Sequence, residues 1–141
     1  MARPRGFDTE TLLQQAGELF IRRGFNATSI DEIVHATGVV RGSLYSIFGS
    51  KQGIFVAALK LAAGQREESE ASRSRARQAR GEGGSETLVN LVNVALFDIA
   101  PHNREVADLV QRIISTNGIT ARALGQCALD RARLREAARQ P

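Results

Sequence analysis

Two short helices predicted on either side of Gly38 constrain the fold more than any other feature of this chain. Val34 lies four residues before this glycine, and Leu44 and Ile47 lie six and nine residues after it. A glycine between two helices can take the positive φ that a tight turn requires. The spacing predicts that the three apolar side chains converge beneath the turn, as in a helix-turn-helix unit.

The outward face of the second predicted helix is small and polar. It presents Arg41, Gly42, Ser43, Tyr45 and Ser46, with Lys51 following at the start of the next helix. Hydroxyls and cations suit phosphate oxygens and base edges. The sequence shows no nucleophile–base pair, no phosphate-binding glycine loop and no metal-ligand spacing, so we expect DNA binding and not an enzyme, with no cofactor.

The whole chain reads as all-α. The N-terminal helices are predicted over Thr9–Arg23, from Thr28 or Ser29 to Gly38, over about Arg41–Phe48, and from Ser50 onward. Asp8 or Thr9 is expected to cap the first helix and Gly24 to end it in a left-handed conformation. Three further helices are expected after Ser85, Asn103 and Thr120, with stops at Pro101 and Gly118 and an interruption at Gly125. We therefore predict a three-helix helix-turn-helix domain over residues 1–52 and a short C-terminal helical domain over residues 53–141, with a polar linker at about 64–86.

Composition agrees with a nucleic-acid partner. The formal charge is +4 and the pI is about 10.2. Arginine dominates the positive charge, either because its fork matches phosphate and guanine or because the genome favours arginine codons. The single cysteine, Cys127, excludes an internal disulfide and is expected to pack as a small apolar side chain. No apolar run approaches the roughly 20 residues that span a bilayer, and no signal peptide is recognisable, so a cytoplasmic protein is expected.

Three segments within residues 3–59 carry a family resemblance: RPRGFD, LFIRRGFNATSIDEI and TGVVRGSLYSIFGSKQGIF. Together they resemble the N-terminal domain of the TetR family of bacterial transcriptional regulators. The combination of GF-x-x-TS, G-S-L-Y-x-x-F and the following lysine is specific. The resemblance covers about two-fifths of the chain and implies a DNA-binding transcriptional regulator.

The resemblance also implies roles for individual residues. Arg41 and Gly42 would face bases, Ser43 and Tyr45 would bind phosphate, and Ser46 would reach a base or a phosphate. Thr28 would contact phosphate through its hydroxyl or its backbone amide, Lys51 would add a cation, and Arg3 and Arg5 could reach the minor groove. Other readings stay open, since Tyr45 could simply pack and Thr28 could simply cap a helix. Val40 departs from the family, which usually places a capping hydroxyl there.

For the C-terminal half the resemblance implies a domain that dimerises and holds a small-molecule effector. The expected protein is a repressor that binds a palindromic operator as a homodimer and is released by its ligand. Apolar stripes on the helices at 85–100 and 103–117 would favour pairing of subunits, or would only close the monomer's own core. Asn93, Phe97 and His102, with Asn90, are candidate ligand-lining residues. Because this half is short for the family, the alternative is a truncated, DNA-binding or heterodimerising regulator without ligand control.

Overall fold

The computed structural model describes residues 8–64 and 86–137 of the chain. The described residues form seven α-helices and contain no strand, which confirms the all-α prediction. The helices are α1 Thr9–Arg23, α2 Ile30–Thr37, α3 Arg41–Phe48, α4 Lys51–Ala62, α5 Glu86–Val94, α6 Arg104–Asn117 and α7 Ala121–Ala137. Arg3, Arg5, the Ser85 cap and most of the predicted linker lie outside the described residues.

Most helix ends lie where local chemistry predicts them. Asp8 caps α1 by accepting from the amides of Glu10 and Thr11 at 3.3 and 3.2 Å. Polar side chains also cap four other helices: Ser29 caps α2, Ser50 caps α4, Asn103 caps α6 and Thr120 caps α7. Helix α3 begins after Val40, which provides no side-chain cap. Gly38 and Gly118 end their helices in the left-handed conformation.

Three predicted boundaries differ from the structure. Gly24 ends α1 with φ +85° and ψ 165°, a positive φ outside the left-handed helical region. The helix predicted to run straight to Pro101 leaves α geometry after Val94, continuing as a π turn over Ala95–Ile99 and a 3₁₀ turn over Ala100–His102. Gly125 does not interrupt α7, because a single interior glycine costs a helix only about 1 kcal/mol.

The hydrophobic core joins both halves of the chain. At its centre Phe20 of α1 packs against Phe55 of α4 with ring centroids 5.2 Å apart, and both rings are fully buried. Phe25, in the turn after α1, lies 5.7 Å from each of them. Gly17 of α1 faces α5, where a Cβ would come within 3.9 Å of Leu91. Thus α1 contributes to the N-terminal bundle and to the contact with the C-terminal helices.

The apolar stripes of the C-terminal helices lie inside the chain. They comprise Leu88, Leu91 and Val92 on α5, Ala95 in the π turn, and Val106, Leu109, Val110 and Ile113 on α6, all buried. The reading in which these stripes close the monomer's core is therefore confirmed for these residues, and they are not available as an exposed dimer surface.

Candidate nucleic-acid interface

Helix α3 has one buried and one exposed face. Leu44 is completely buried, whereas Arg41, Gly42 and Ser46 are exposed and Tyr45 exposes 43% of its surface. Ser43 is half-buried at the edge of the exposed face. The structure thus brings the predicted α3 residues together on one outward surface, which we call the α3 face.

The turn and the next helix fix the orientation of α3. Of the three residues predicted to converge beneath the turn, Leu44 is fully buried, whereas Val34 and Ile47 are half-buried. Val39, in the turn itself, is buried at 4% exposure. At the other end, a Cβ on Gly53 would lie 1.9 Å from the carbonyl oxygen of Phe48. Glycine at position 53 therefore allows α4 to start directly against the end of α3.

Arg41 forms an ion pair with Asp31 of α2 across the turn. The hydrogen bond that Arg41 donates to the Asp31 carboxylate, and the negative charge of Asp31, raise the pKa of Arg41 above its already high ordinary value, so the guanidinium stays charged. Both side chains are exposed, at 55% and 75%. The cation at the start of the α3 face thus has a carboxylate neighbour that no sequence spacing indicated.

Thr28 lies behind the α3 face and is 1% exposed. Its hydroxyl donates to the carbonyl oxygen of Gly24 at 2.7 Å, and its amide donates to that of Phe25 at 3.3 Å. In this arrangement the hydroxyl stabilises the turn between α1 and α2, and the predicted hydroxyl contact with phosphate does not fit its burial. Ser29, not Thr28, caps α2.

The Ser29 cap is a complete capping box. Glu32 donates its amide to the Ser29 hydroxyl at 3.1 Å, and the Glu32 carboxylate accepts from the Ser29 amide at 2.8 Å. Arg23, in the last turn of α1, pairs with the same carboxylate at 2.5 Å. The Ser29 amide, followed by the Arg23 charge, holds the pKa of Glu32 below its ordinary value.

Lys51 lies at the first position of α4, beside the α3 face. Its ammonium donates to the carbonyl oxygen of Phe25 at 2.9 Å and sits 4.3 Å from the centre of the Phe25 ring. The predicted phosphate-binding cation therefore also has a structural role, in which it ties the start of α4 to the α1–α2 turn.

The candidate ligand-lining residues separate into two groups. Asn93 and Phe97 line one open cleft of about 450 Å³ between the α1–α2 turn, α5 and α7, whereas His102 does not. Asn93 is buried and donates to the carbonyl oxygen of Leu124 at 3.0 Å. Asn90 accepts from the Cys127 thiol at 3.0 Å, and Cys127 packs against the core as predicted.

Sequence reasoning missed three polar links between the two halves. The Asp98 carboxylate accepts from the Phe25 amide at 2.7 Å, and Arg131 donates to the carbonyl oxygen of Ile21 at 2.5 Å. Asn103 donates to Gln52 at 3.3 Å. The partners are 51 to 110 residues apart, so no local pattern could have indicated them.

Family comparison agrees with the geometry of the N-terminal helices. Residues 12–58, which contain α2, α3 and most of α1 and α4, match the family described as bacterial regulatory proteins, tetR family. Residues 12–58 therefore form an N-terminal domain of the TetR family.

The similar curated proteins match over the same region. The chain is 42% identical over 57 residues to the HTH-type transcriptional repressor ComR of Escherichia coli K12, which is 40% of this chain and 27% of ComR. It is 37% identical over 60 residues to the HTH-type regulator YezE of Bacillus subtilis 168, and 43% identical over 53 residues to the repressor BdcR of E. coli K12. These matches cover 43% and 38% of this chain, and the matched segments span 31% and 27% of those two relatives.

The fold similarity extends over most of the chain. Two structures of the TetR family transcriptional regulator CifR, both in complex with 26-bp double-strand operator DNA, match with a TM-score of 0.50 at 23% and 22% identity. The matches cover 92% and 99% of this chain, and 73% and 78% of CifR. Among the described residues, no helix combines the length and apolarity needed to cross a membrane.

Proposed function

We propose that this TetR-family protein is a DNA-binding transcriptional repressor that recognises a palindromic operator as a homodimer. The observation that carries the proposal is the α3 face, because its polar side chains are exposed while Leu44 anchors the opposite side of the same two-turn helix. A helix presented in this way fits the major groove.

The proposed contacts follow the positions on α3. Arg41 and Gly42, at its N-terminal end, would face base edges, where an arginine can bind guanine through two parallel hydrogen bonds. Gly42 has no atom within 4 Å of where a Cβ would lie, so it leaves room for close approach of the duplex. Ser43, Tyr45 and Ser46 would contact the backbone or bases beside them, and Lys51 would add charge at the edge of the surface.

Dimerisation is proposed through the C-terminal helices. With the stripes of α5 and α6 buried, its support lies in the exposed apolar side chains Phe97 and Leu129, at 72% and 57% exposure. The CifR structure is a complex with 26-bp double-strand operator DNA, a length that accommodates two half-sites one helical turn apart. Two copies of this chain would place one α3 in each half-site.

Release by a small-molecule effector is part of the same proposal. The cleft between the α1–α2 turn, α5 and α7 joins apolar side chains, among them Phe97, to polar ones such as Asn93. Its position beside the turn that precedes α2 would let an occupant affect the N-terminal helices.

A regulator without ligand control is the second candidate. One observation favours it: the amide groups of Asn90 and Asn93 donate to the carbonyl oxygens of Glu86 and Leu124 within the chain. Polar groups that are already satisfied have less to offer a ligand.

Selection from a pool of randomised duplexes tests the DNA-binding proposal. We expect the intact chain to enrich a palindrome and to bind it at least a thousandfold more tightly than a scrambled duplex, as is typical of specific regulators. Light scattering should give two chains per duplex. Equal affinity for all duplexes, at every salt concentration tried, would overturn the proposal.

A further inference from the structure

Two side chains of opposite charge from the C-terminal half bind the end of α1 and the turn that follows it. Arg131 of α7 donates to the carbonyl oxygen of Ile21 in the last turn of α1. Asp98, in the π turn after α5, accepts from the amide of Phe25. A cation near the C-terminal end of a helix and a carboxylate on a turn amide are each favourable, and both hydrogen bonds are directional.

The Phe25 peptide unit connects Asp98 to the α3 face. Its amide is bound by Asp98 at 2.7 Å, and its carbonyl oxygen is bound by Lys51 at 2.9 Å. Lys51 begins α4 immediately after α3 and the Gly49–Ser50 turn. The C-terminal half therefore reaches the start of α4, beside the end of α3, through one residue of the α1–α2 turn.

The position of Asp98 depends on the π turn. A π turn changes the direction in which later side chains leave a helix, and Asp98 is the fourth of the five residues in this turn. Its carboxylate lies close enough to Gly24 that a Cβ on that glycine would be 3.0 Å away. Gly24 thus leaves room for the Asp98 carboxylate, and Asp98 and Arg131 both line the 450 Å³ cleft.

We propose that Asp98 and Arg131 are positioning residues that set the angle between α1–α4 and the C-terminal helices, and with it the separation of the two α3 helices in a dimer. The inference rests on the proposed function, because separation matters only when two half-sites are bound together. The buried core holds the two halves in contact, and the hydrogen bonds of Asp98 and Arg131 select one orientation among those that the core allows.

The test uses the duplex selected by the unaltered chain, variants of that duplex with one or two base pairs inserted at its centre, and a single half-site. Asp98→Ala and Arg131→Ala should each bind the selected duplex about tenfold more weakly, bind the half-site normally, and discriminate less between spacings. Asp98→Asn keeps an acceptor oxygen and should resemble the unaltered chain. Asp108→Ala, which removes an exposed carboxylate from α6, is the matched control.

Each outcome separates the positioning role from the alternatives. If Asp98→Ala binds all spacings as the unaltered chain does, or loses affinity equally on the half-site and the full duplex, the positioning role is wrong while DNA binding stands. Thermal melting of each variant shows whether an equal loss reflects unfolding. If the unaltered chain selects no duplex, the proposed function itself fails.

Discussion

At the scale of single residues, Arg41 shows what local sequence patterns can predict and what they cannot. Its exposed place at the start of α3 follows from the spacing of Gly38 and Leu44. Its ion pair with Asp31 joins two helices whose crossing angle is set by packing, and no spacing predicts it. The neighbouring carboxylate accepts from the Arg41 guanidinium, and it places negative charge beside a surface that we propose binds DNA.

Two substitutions separate the parts of this pair. Asp31→Asn should tighten binding to every duplex severalfold, because it removes a charge that repels phosphate.

Arg41→Ala should instead relax base preference, at a cost of about 1–3 kcal/mol for the correct base pair if the contact is bidentate to guanine. Fluorescence anisotropy on the selected and scrambled duplexes distinguishes these effects, with Asp108→Asn as the charge control. Equal losses on both duplexes would contradict base readout by Arg41.

At the scale of helices, α2 and α3 differ in how their first turns are satisfied. The capping box of α2 is complete, whereas Val40 provides no side-chain cap for α3 and is 65% exposed. The missing cap was visible in the sequence, because capping depends on residues that are adjacent in the chain. The first turn of α3 therefore has fewer hydrogen bonds than that of α2.

Val40→Thr should stabilise the protein by about 1 kcal/mol, the usual worth of an N-cap hydroxyl. The backbone at position 40 already has φ −66° and ψ 147°, the extended conformation that a capping residue requires, and the exposed valine methyl loses little burial. The midpoint of urea denaturation measures the effect, with Val40→Ala as the control for the lost valine. A threonine variant no more stable than the alanine variant would show that the first turn of α3 needs no cap.

The capping box of α2 should make stability depend on pH. Because the folded state holds the pKa of Glu32 below its ordinary value, the carboxylate stabilises the fold at pH above that ordinary value, and the contribution is lost as the pH falls through the lowered one. Glu32→Gln should therefore melt below the unaltered chain at neutral pH, and the gap should close in acid. Melting curves across this range measure it, and a gap that does not change with pH would rule out the charge as its source.

The helices also show why part of the site could not be predicted from the sequence. Caps at Asp8, Ser50 and Thr120 were predictable, because the capping side chain and the amide it binds are a few residues apart. The π turn at Ala95–Ile99 was not, since its apolar spacing resembles that of a continuing α-helix. The Asp98 contact depends on that turn and on a residue 73 positions away.

At the scale of the molecule, the N-terminal helices and the C-terminal helices share one buried cluster. Gly17 lies against Leu91, and Asp98 and Arg131 add hydrogen bonds between the two groups of helices. The boundary predicted from the sequence, with one domain ending at residue 52 and the next starting at residue 53, stays a prediction. Packing of this kind couples the two parts energetically, because separating them would expose apolar surface on α1 and α5 together.

Because the N-terminal and C-terminal helices share one buried core, they should unfold together. The chain contains one tyrosine and one cysteine and no tryptophan, so Tyr45 fluorescence reports on α3 and alkylation of Cys127 reports on α7. Burial raises the pKa of the Cys127 thiol and should keep its alkylation slow until α7 separates from Asn90. We expect the two signals to change at the same urea concentration, as in a two-state transition. If Cys127 became reactive well before the Tyr45 signal changed, the C-terminal helices would unfold as an independent unit. The orientation proposed to depend on Asp98 and Arg131 would then be lost before α3 unfolds.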